Sequence, residues 1–414
     1  MRNENNAKEK TLKLRIPDFY DSFHCTGSDC PDNCCIGWEL DIDEDTYEYY
    51  KNVPGEFGDR LRANMESARD AGDSTDVLGD GSDARRSFRL QIDGRCPFLN
   101  QCGLCDIVLN LGEEALCRIC TDYPRYTFEW GGVTEKSLTL SCPEAGRLTF
   151  LNDIPISFKE IELQDEGLSS YMEEEFDESV AALPDDAEFE DNWDDGEDEA
   201  FASHILNIRE ACFKILQNRE KPLGERVELY LALCRDAQDL INQYESDSGI
   251  LDRKLPGLLE KYISFDAKVL GITFGVDVTE YRERLEVLDK LEVISDRWTK
   301  ILEATKAELE SDYFRHLLWW QTSSDFNEVH YEHLLVYYTF RYFPRAAYDF
   351  CLTEKARFAV FCTLVIRDLD AARFALNGRS FSFTDRLQTV AEFSREVEHS
   401  DYNIETLCEE LSFV

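Results

Sequence analysis

Ten of the fifteen cysteines lie between Cys25 and Cys142: Cys25, Cys30, Cys34 and Cys35, then Cys96, Cys102 and Cys105, then Cys117 and Cys120, then Cys142. Thiolates at such short spacing hold soft metals, either zinc or an iron–sulfur cluster. Two other readings compete with metal. A disulfide framework belongs to small secreted domains, and this chain is neither small nor led by an apolar secretory segment. Inert core thiols suit the five scattered cysteines instead, Cys212, Cys234, Cys351, Cys362 and Cys408, which fall in helical patterns. No apolar run reaches the roughly 18–20 residues that span a membrane. The expected compartment is the reducing cytoplasm.

The cysteines fall into motifs. CTGSDCPDNCC has the spacing C-x4-C-x3-C-C, and adjacent Cys34 and Cys35 do not easily bind one ion together, so one of them can serve a second site. Gly27, Asp29, Pro31 and Asp32 suit a tight turn whose amides can tune nearby sulfur. CPFLNQCGLC is followed eleven residues later by CRIC. Cys102-x2-Cys105 with Cys117-x2-Cys120 passes for a four-cysteine knuckle, a spacing strong for metal and weak for which metal. The C-x3-C-x2-C run of radical enzymes is missing, because the residue two beyond Cys35 is Gly37.

These motifs need elements to position them. In WELDID, Trp38, Leu40 and Ile42 alternate with acids as in a half-buried strand, and Asp43 is placed to cap a short helix over Tyr47 to Lys51. RSFRLQIDGR repeats the strand pattern. The intervening ESARDAGDSTDVLGDGSDARR reads as a loop. Its Gly79-Asp80-Gly81 is not a nucleotide-binding turn, since no strand precedes it and no apolar helix follows. YTFEWGGVTEKSLTLSC reads as a hairpin turning at Gly131-Gly132. Pairing Trp130 with Val133 puts Cys142 opposite Thr121, beside Cys120, so Cys117, Cys120 and Cys142 are expected to share one metal. Pro124 would disturb the ladder.

From about Ala200 onward the pattern is helical: HILNIREACFKILQ, ERVELYLALCRDAQDLINQY, YRERLEVLDKLEVISDRWTKILEA, HYEHLLVYYTFRYF, EKARFAVFCTLVIRDL and RLQTVAEFSREVEH each fit a 3.6-residue period. Between the halves, residues 160–200 carry 19 Asp or Glu and no Lys or Arg, which reads as an acidic linker. The fold expectation is therefore mainly α. A small cysteine-rich metal-binding domain with short strands and a hairpin spans 1–150, the linker 151–200, and an all-α domain 201–414. The net charge of −41 argues against nucleic acid or anionic membranes and suits a cationic partner.

The order FHCTGSDCPDNCCIGWELDID, CPFLNQCGLCDIVLNLGEEALCRICTDYPR and LSCPEAGRL resembles the flagellin lysine-N-methylases, part of a wider group with a zinc- or iron-chelating cysteine cluster. YEHLLVYYTFRYF and FAVFCTLVIRDL look like that family's helical half. The resemblance implies methyl transfer from S-adenosylmethionine to surface lysines of flagellin, with an iron–sulfur or zinc centre. The implied ligands are Cys25, Cys30, Cys34, Cys35, Cys96, Cys105, Cys117, Cys120 and Cys142, with Cys102 extra to the pattern. Such transfer needs a neutral amine, in-line geometry, a proton acceptor and aromatic walls that attract a sulfonium. Tyr337, Tyr338 and Arg341 share one helix face and are candidates for a pocket lining, against the plainer reading of a buried central helix. His330 with His333, and His24, are weaker metal candidates. A non-catalytic metal-dependent binding module and a cytosolic iron or zinc carrier are the alternatives to the enzyme.

Overall fold

The computed structural model describes residues 12–37, 40–67, 86–163, 195–244, 246–265 and 278–412. Trp38, the Gly79-Asp80-Gly81 loop and most of the acidic linker lie outside the described residues. Among the described residues six strands occur: β1 (Leu12–Pro17), β2 (Met65–Ser67), β3 (Arg86–Phe88), β4 (Arg125–Trp130), β5 (Val133–Leu138) and β6 (Phe158–Leu163). The cysteine-rich half carries helices α1 (Glu44–Asn52), α2 (Gly55–Asn64), α3 (Asp106–Leu111), α4 (Arg118–Asp122) and α5 (Pro143–Phe150). The rest is helical: α6 (Asp195–Leu216), α7 (Leu223–Ile241), α8 (Ile250–Ile263), α9 (Val278–Val287), α10 (Asp296–Gln321), α11 (Glu328–Tyr342), α12 (Ala346–Asp349), α13 (Leu352–Leu376), α14 (Phe383–Glu398) and α15 (Asp401–Ser412). The fold is mainly α, with small sheets confined to the first part, as the sequence patterns require. Among the described residues, no helix is long and apolar enough to cross a membrane.

The hairpin has the expected register, from Trp130↔Val133 to Arg125↔Leu138. Gly131 and Gly132 both take positive φ, +51° and +73°, as a tight two-residue turn demands. The larger sheet, in the order β4-β5-β1-β6, extends beyond that hairpin. Strand β1 lies parallel to β5 and antiparallel to β6. Its alternation of Leu12, Leu14 and Ile16 with Lys13 and Arg15 is a legible strand signal. Strand β6 falls within the stretch 151–200, so the acidic segment's first residues complete a sheet. In the first half, the described part of WELDID, residues 40–43, is not a strand: Leu40 and Ile42 are buried, but only an isolated bridge joins Asp41 to Ser87. RSFRLQIDGR forms a strand only over Arg86–Phe88, paired with β2, and Arg95 makes an isolated bridge to Ile36. Gly94, at φ +75°, then turns the chain, its amide donating to Gln91 O, and leaves Ile92 fully exposed. The helical stretch from Tyr281 to Ala304 breaks at Leu291, and Ser295 caps α10.

The sheet is a middle layer. One face packs on the helical core through Trp130, Phe128 and Phe158, and Phe158 stacks on Phe340 at 4.4 Å between ring centroids. The other face builds a second core from Leu14, Ile16, Tyr20, Phe23, Leu138, Cys142, Ala145 and Leu148. A third core, around Leu40, Tyr50, Leu61, Phe88 and Phe98, holds the cysteine module together. Sheet and helices are joined by charge as well. The fully buried Arg209 of α6 donates to Glu135 Oε2 of β5 at 2.8 Å and to Phe340 O of α11 at 3.0 Å, and its guanidinium lies over Trp130 and Phe340. Arg15 of β1 pairs with Glu210, the next residue of α6. Removing one partner of such a pair strands the other charge in a dry interior. Arg209→Ala is therefore expected to lower unfolding free energy by about 3–5 kcal/mol, and Glu135→Gln by less. Urea unfolding followed by far-ultraviolet circular dichroism checks this; an unchanged midpoint for Arg209→Ala would show the pair is dispensable.

Candidate functional site

The cysteine loops are held by their own backbones. Cys35 O accepts from Cys96 N at 2.8 Å, and Gly37 N donates to Gly94 O at 2.9 Å, so the first motif is laced to the second. Within CPFLNQCGLC, Asn100 Oδ1 accepts from the amides of Cys102 and Leu104, and Gly103 takes φ +76°. Cys105 and Cys117 stand at the N-caps of α3 and α4. Cys117 and Cys120, one helical turn apart, put their sulfurs 3.4 Å apart. Cys96 and Cys117 are buried in the small core, and Cys35, Cys105 and Cys120 pack against it.

Groups around these sulfurs fix them. Tyr50 donates to Ala115 O at 2.6 Å, just before Cys117. Asp43 caps α1 through Thr46 N and reaches Arg118 N at 2.9 Å with its other oxygen. Burial alone would raise the Asp43 carboxyl, but the Arg118 and Thr46 amides outweigh it and hold it below the usual range. A carboxyl with a depressed folded value contributes stability above its unfolded value and loses it as pH falls through the folded one. Asp43→Ala is thus expected to cost about 1–2 kcal/mol at neutral pH. The difference from wild type should shrink as pH falls below about 4. Chemical unfolding at pH 7 and pH 3 measures both, and a gap unchanged by pH would refute the carboxylate's role.

Cys35, Cys96, Cys105, Cys117 and Cys120 thus belong to the small core. Cys142 sits apart from these, an interior member of the core under the sheet. Cys117 and Cys120 are a pair in contact, and the single metal expected to join them to Cys142 stays a proposal. The ladder stops at Arg125↔Leu138, and the chain then turns into α5, with Cys142 as its N-cap and the Glu144 and Ala145 amides at its sulfur. Burial pushes both Cys96 and Cys142 up to about 12. Cys34 is lowered, chiefly by the hydrogen bond from Cys35. Cys25 and Cys102 are exposed, and Cys25 Sγ accepts from Gly27 N at 3.4 Å.

Among the described residues, no three or more His, Cys, Asp and Glu side chains converge as a ready metal site. The donors fit a thiophilic metal in type: they are soft sulfurs, and Cys117 and Cys120 already stand in contact. A tetrahedral ion with bonds near 2.3 Å sets its sulfurs about 3.8 Å apart, close to the separation of Cys117 and Cys120. Binding would displace the thiol protons, so affinity would rise with pH.

A cleft of 910 Å³ opens beside this module. One wall is the loop carrying the cysteines, with Asp32, Ile36 and Gly37, and the turn Ile92 to Gly94. The other is formed by α10, α13 and α14 with the residues leading into α10. Arg395 of α14 binds Asp32 at 2.8 Å and ties the walls together. On the helical side the buried carboxylate of Glu392 accepts from Arg373 at 2.5 Å and from Arg297. No local sequence pattern announces this cleft, because its walls are some 200–360 residues apart in the chain.

Tyr337, Tyr338 and Arg341 lie elsewhere, buried between the sheet and α14. Tyr337 and Tyr342 donate to Glu398 at 2.7 and 3.0 Å, and Arg341 Nε pairs with it at 3.0 Å. The Tyr337 hydroxyl also accepts from Leu140 N. Helix α11 is central, as its two apolar faces require. His333 faces the carbonyls of Thr149 and Ile154, and burial pushes His330 down to about 3. His24 is exposed, 3.1 Å from Ser22 O.

A helical body with a cysteine-bearing module closing a cleft against it is the architecture these residues define. Residues 209–413 match the FliB lysine N-methylase C-terminal domain. The chain is 30% identical over 137 residues to the flagellar biosynthetic protein FliU of Salmonella muenchen, covering 33% of this chain and 75% of that one. It is equally similar to lysine-N-methylases of Salmonella typhimurium strain LT2 and Salmonella choleraesuis strain SC-B67. There the match spans 32% of each relative's length. No solved structure matches. The chain belongs to the FliB lysine N-methylase family.

Proposed function

We propose that this protein is an S-adenosylmethionine-dependent protein lysine N-methyltransferase acting on flagellin in the cytoplasm before export. The observation that carries the reading, beside family membership, is the cleft walled by the cysteine loop on one side and by family-matched helices on the other. The cleft is large enough for a nucleoside-sized donor and an inserted side chain. Methyl transfer needs a neutral lysine amine in line with the sulfonium carbon; the new C–N bond forms as the C–S bond breaks, and a proton leaves the nitrogen. Asp93 and Asp296 line the cleft and are placed to draw in a lysine ammonium and accept its proton. Ile36, Ile301 and Leu376 supply apolar wall that excludes water. The strong negative charge of the chain favours approach of a lysine-bearing substrate.

Cys30, Cys34, Cys35, Cys96, Cys105, Cys117, Cys120 and Cys142 would hold the metal, with exposed Cys25 available to join them. An iron–sulfur cluster would supply one-electron chemistry, and zinc a structural clamp or Lewis acidity. The thiol-rich donor set, poor in histidine, favours iron. Protein purified without oxygen is expected to be coloured and to contain iron and sulfide. Colourless protein with stoichiometric zinc and no iron would overturn that assignment.

Calorimetry with S-adenosylmethionine and mass spectrometry of flagellin incubated with enzyme and donor test the activity itself. Wild type should bind the donor and add methyl groups to flagellin lysines. Asp296→Asn should slow methylation by about 10-fold or more without moving the melting temperature. Metal-loaded protein that neither binds the donor nor modifies flagellin would refute the enzyme and leave a binding module.

A further inference from the structure

We propose that Glu392, on the floor of the cleft, is the acceptor for the vicinal hydroxyls of a ribonucleoside, and that Arg297 is a latch which such a ligand displaces from it. The inference rests on reading the cleft as the donor site, and adds the group that recognises the donor's sugar.

Depth is the first argument. Trp298, Thr305, Leu369 and Thr389 line the cleft yet are almost wholly buried, so they form its floor. Glu392 stands one turn of α14 beyond Thr389, and its side chain is only 6% exposed. A carboxylate at that depth has lost most of its water and needs hydrogen-bond donors from the protein or from a ligand. The mouth is different, since the Arg297 side chain and Leu376 are more than half exposed.

The two cations on Glu392 are held unequally. Arg373 of α13 donates to Oε2 at 2.5 Å and is anchored as well by Gln388 Oε1 at 3.2 Å and Asp385 O at 3.3 Å, both on α14. That guanidinium belongs to the packing of α13 on α14. Arg297 comes instead from the first turn of α10 and pairs with Oε1 from the solvent side. An ion pair with one end in water contributes little net stability, so a better-placed donor displaces it.

Charge decides what that donor is. Arg373 alone neutralises Glu392, and with Arg297 the trio carries a net positive charge. An amine would leave that excess in place, whereas two neutral hydroxyls satisfy the carboxylate and release Arg297. A carboxylate offers about four lone-pair sites on its two oxygens. Adjacent ribose hydroxyls can each donate to one oxygen while Arg373 stays bound. The freed Arg297, with Lys300 one turn further along α10 and also lining the cleft, then meets an anionic group on the ligand, such as a carboxylate. A nucleoside also brings a flat apolar base, for which Trp298 and Leu369 provide floor.

Calorimetry of the full chain with adenosine and with 2′,3′-dideoxyadenosine tests this, with S-adenosylhomocysteine as the donor-shaped reference. Wild type should bind adenosine at least about 10-fold more tightly than the dideoxy compound, the scale of a lost hydrogen bond to a charged group. Glu392→Gln should bind the two nucleosides alike. Arg297→Ala should keep the preference and bind adenosine at least as tightly as wild type, while binding S-adenosylhomocysteine more weakly. Circular dichroism confirms folding, and if Glu392→Gln does not fold, wild type and Arg297→Ala decide alone. No binding of adenosine, equal binding of both nucleosides by wild type, or a folded Glu392→Gln that keeps the preference overturns the proposal. So does an Arg297→Ala that loses adenosine. S-adenosylhomocysteine bound without dependence on Glu392 removes this inference and leaves the donor reading in place. Hydroxyl-dependent binding by a protein that never methylates flagellin removes the enzyme and leaves this inference standing.

Discussion

The Arg209–Glu135 pair is the constraint on which the rest depends. A guanidinium with no exposed surface must have its charge met inside the protein. Here one carboxylate, one main-chain carbonyl and the faces of Trp130 and Phe340 meet it together. Those partners come from β5, α11 and the hairpin turn, so satisfying one side chain sets the sheet's position on the helices. The same logic explains why β5 carries Thr134, Glu135, Lys136 and Ser137 at buried positions. A middle strand between two packed layers has no solvent face on which to place polar residues, and each must find a partner.

Once the sheet is fixed, its outer face carries the cysteine chemistry. Strand β5 runs into Leu138, Leu140 and Cys142, and α5 returns across the sheet-side core. Glu398 receives Tyr337, Tyr342, Arg341 and Ser394 from two helices and anchors α14 against that sheet. Helix α14 in turn presents Arg395 to Asp32 and Glu392 to the cleft. The route from core charge to cleft wall is therefore a chain of buried, oriented ion pairs, each of which costs more to break than it gained in forming. Such a scaffold favours a fixed seam over a hinged one.

Much of this was legible in residues near one another in sequence. The Gly131-Gly132 turn, the Asp43 cap and five of the six helical stretches follow from local rules and are present; the sixth, Tyr281 to Ala304, is split at Leu291. The failures share a cause. WELDID and RSFRLQIDGR alternate like strands, yet Leu40, Ile42 and Phe88 are buried in a small core walled mainly by short helices, so burial without long ladders satisfied the pattern. Cys142 lies past the last ladder pair at Leu138, where Pro143 and α5 turn the chain. Tyr337 and Arg341 have the types of a ligand pocket, but their partner Glu398 lies some 60 residues away, and only the tertiary fold shows that it occupies them. The cleft had no sequence signal at all, since it is made by contact between distant segments.

The segment from Cys30 to Gly37 is where these threads meet. It has a 3₁₀ turn before it and no helix or extended strand within it. It carries Cys34 and Cys35, and its Asp32, Ile36 and Gly37 form cleft wall. Short irregular segments draw little stability from their own hydrogen bonds, so what fixes them comes from outside. A cation that orders Cys34 and Cys35 also orders the cleft residues two positions away on either side. By linkage, whatever binds in the cleft and holds Asp32 against Arg395 must then favour the same arrangement of sulfurs. Under the proposed metal assignment, metal and cleft occupancy would be two demands on one stretch of eight residues, a physical reason for placing a cysteine module at the mouth of a helical body.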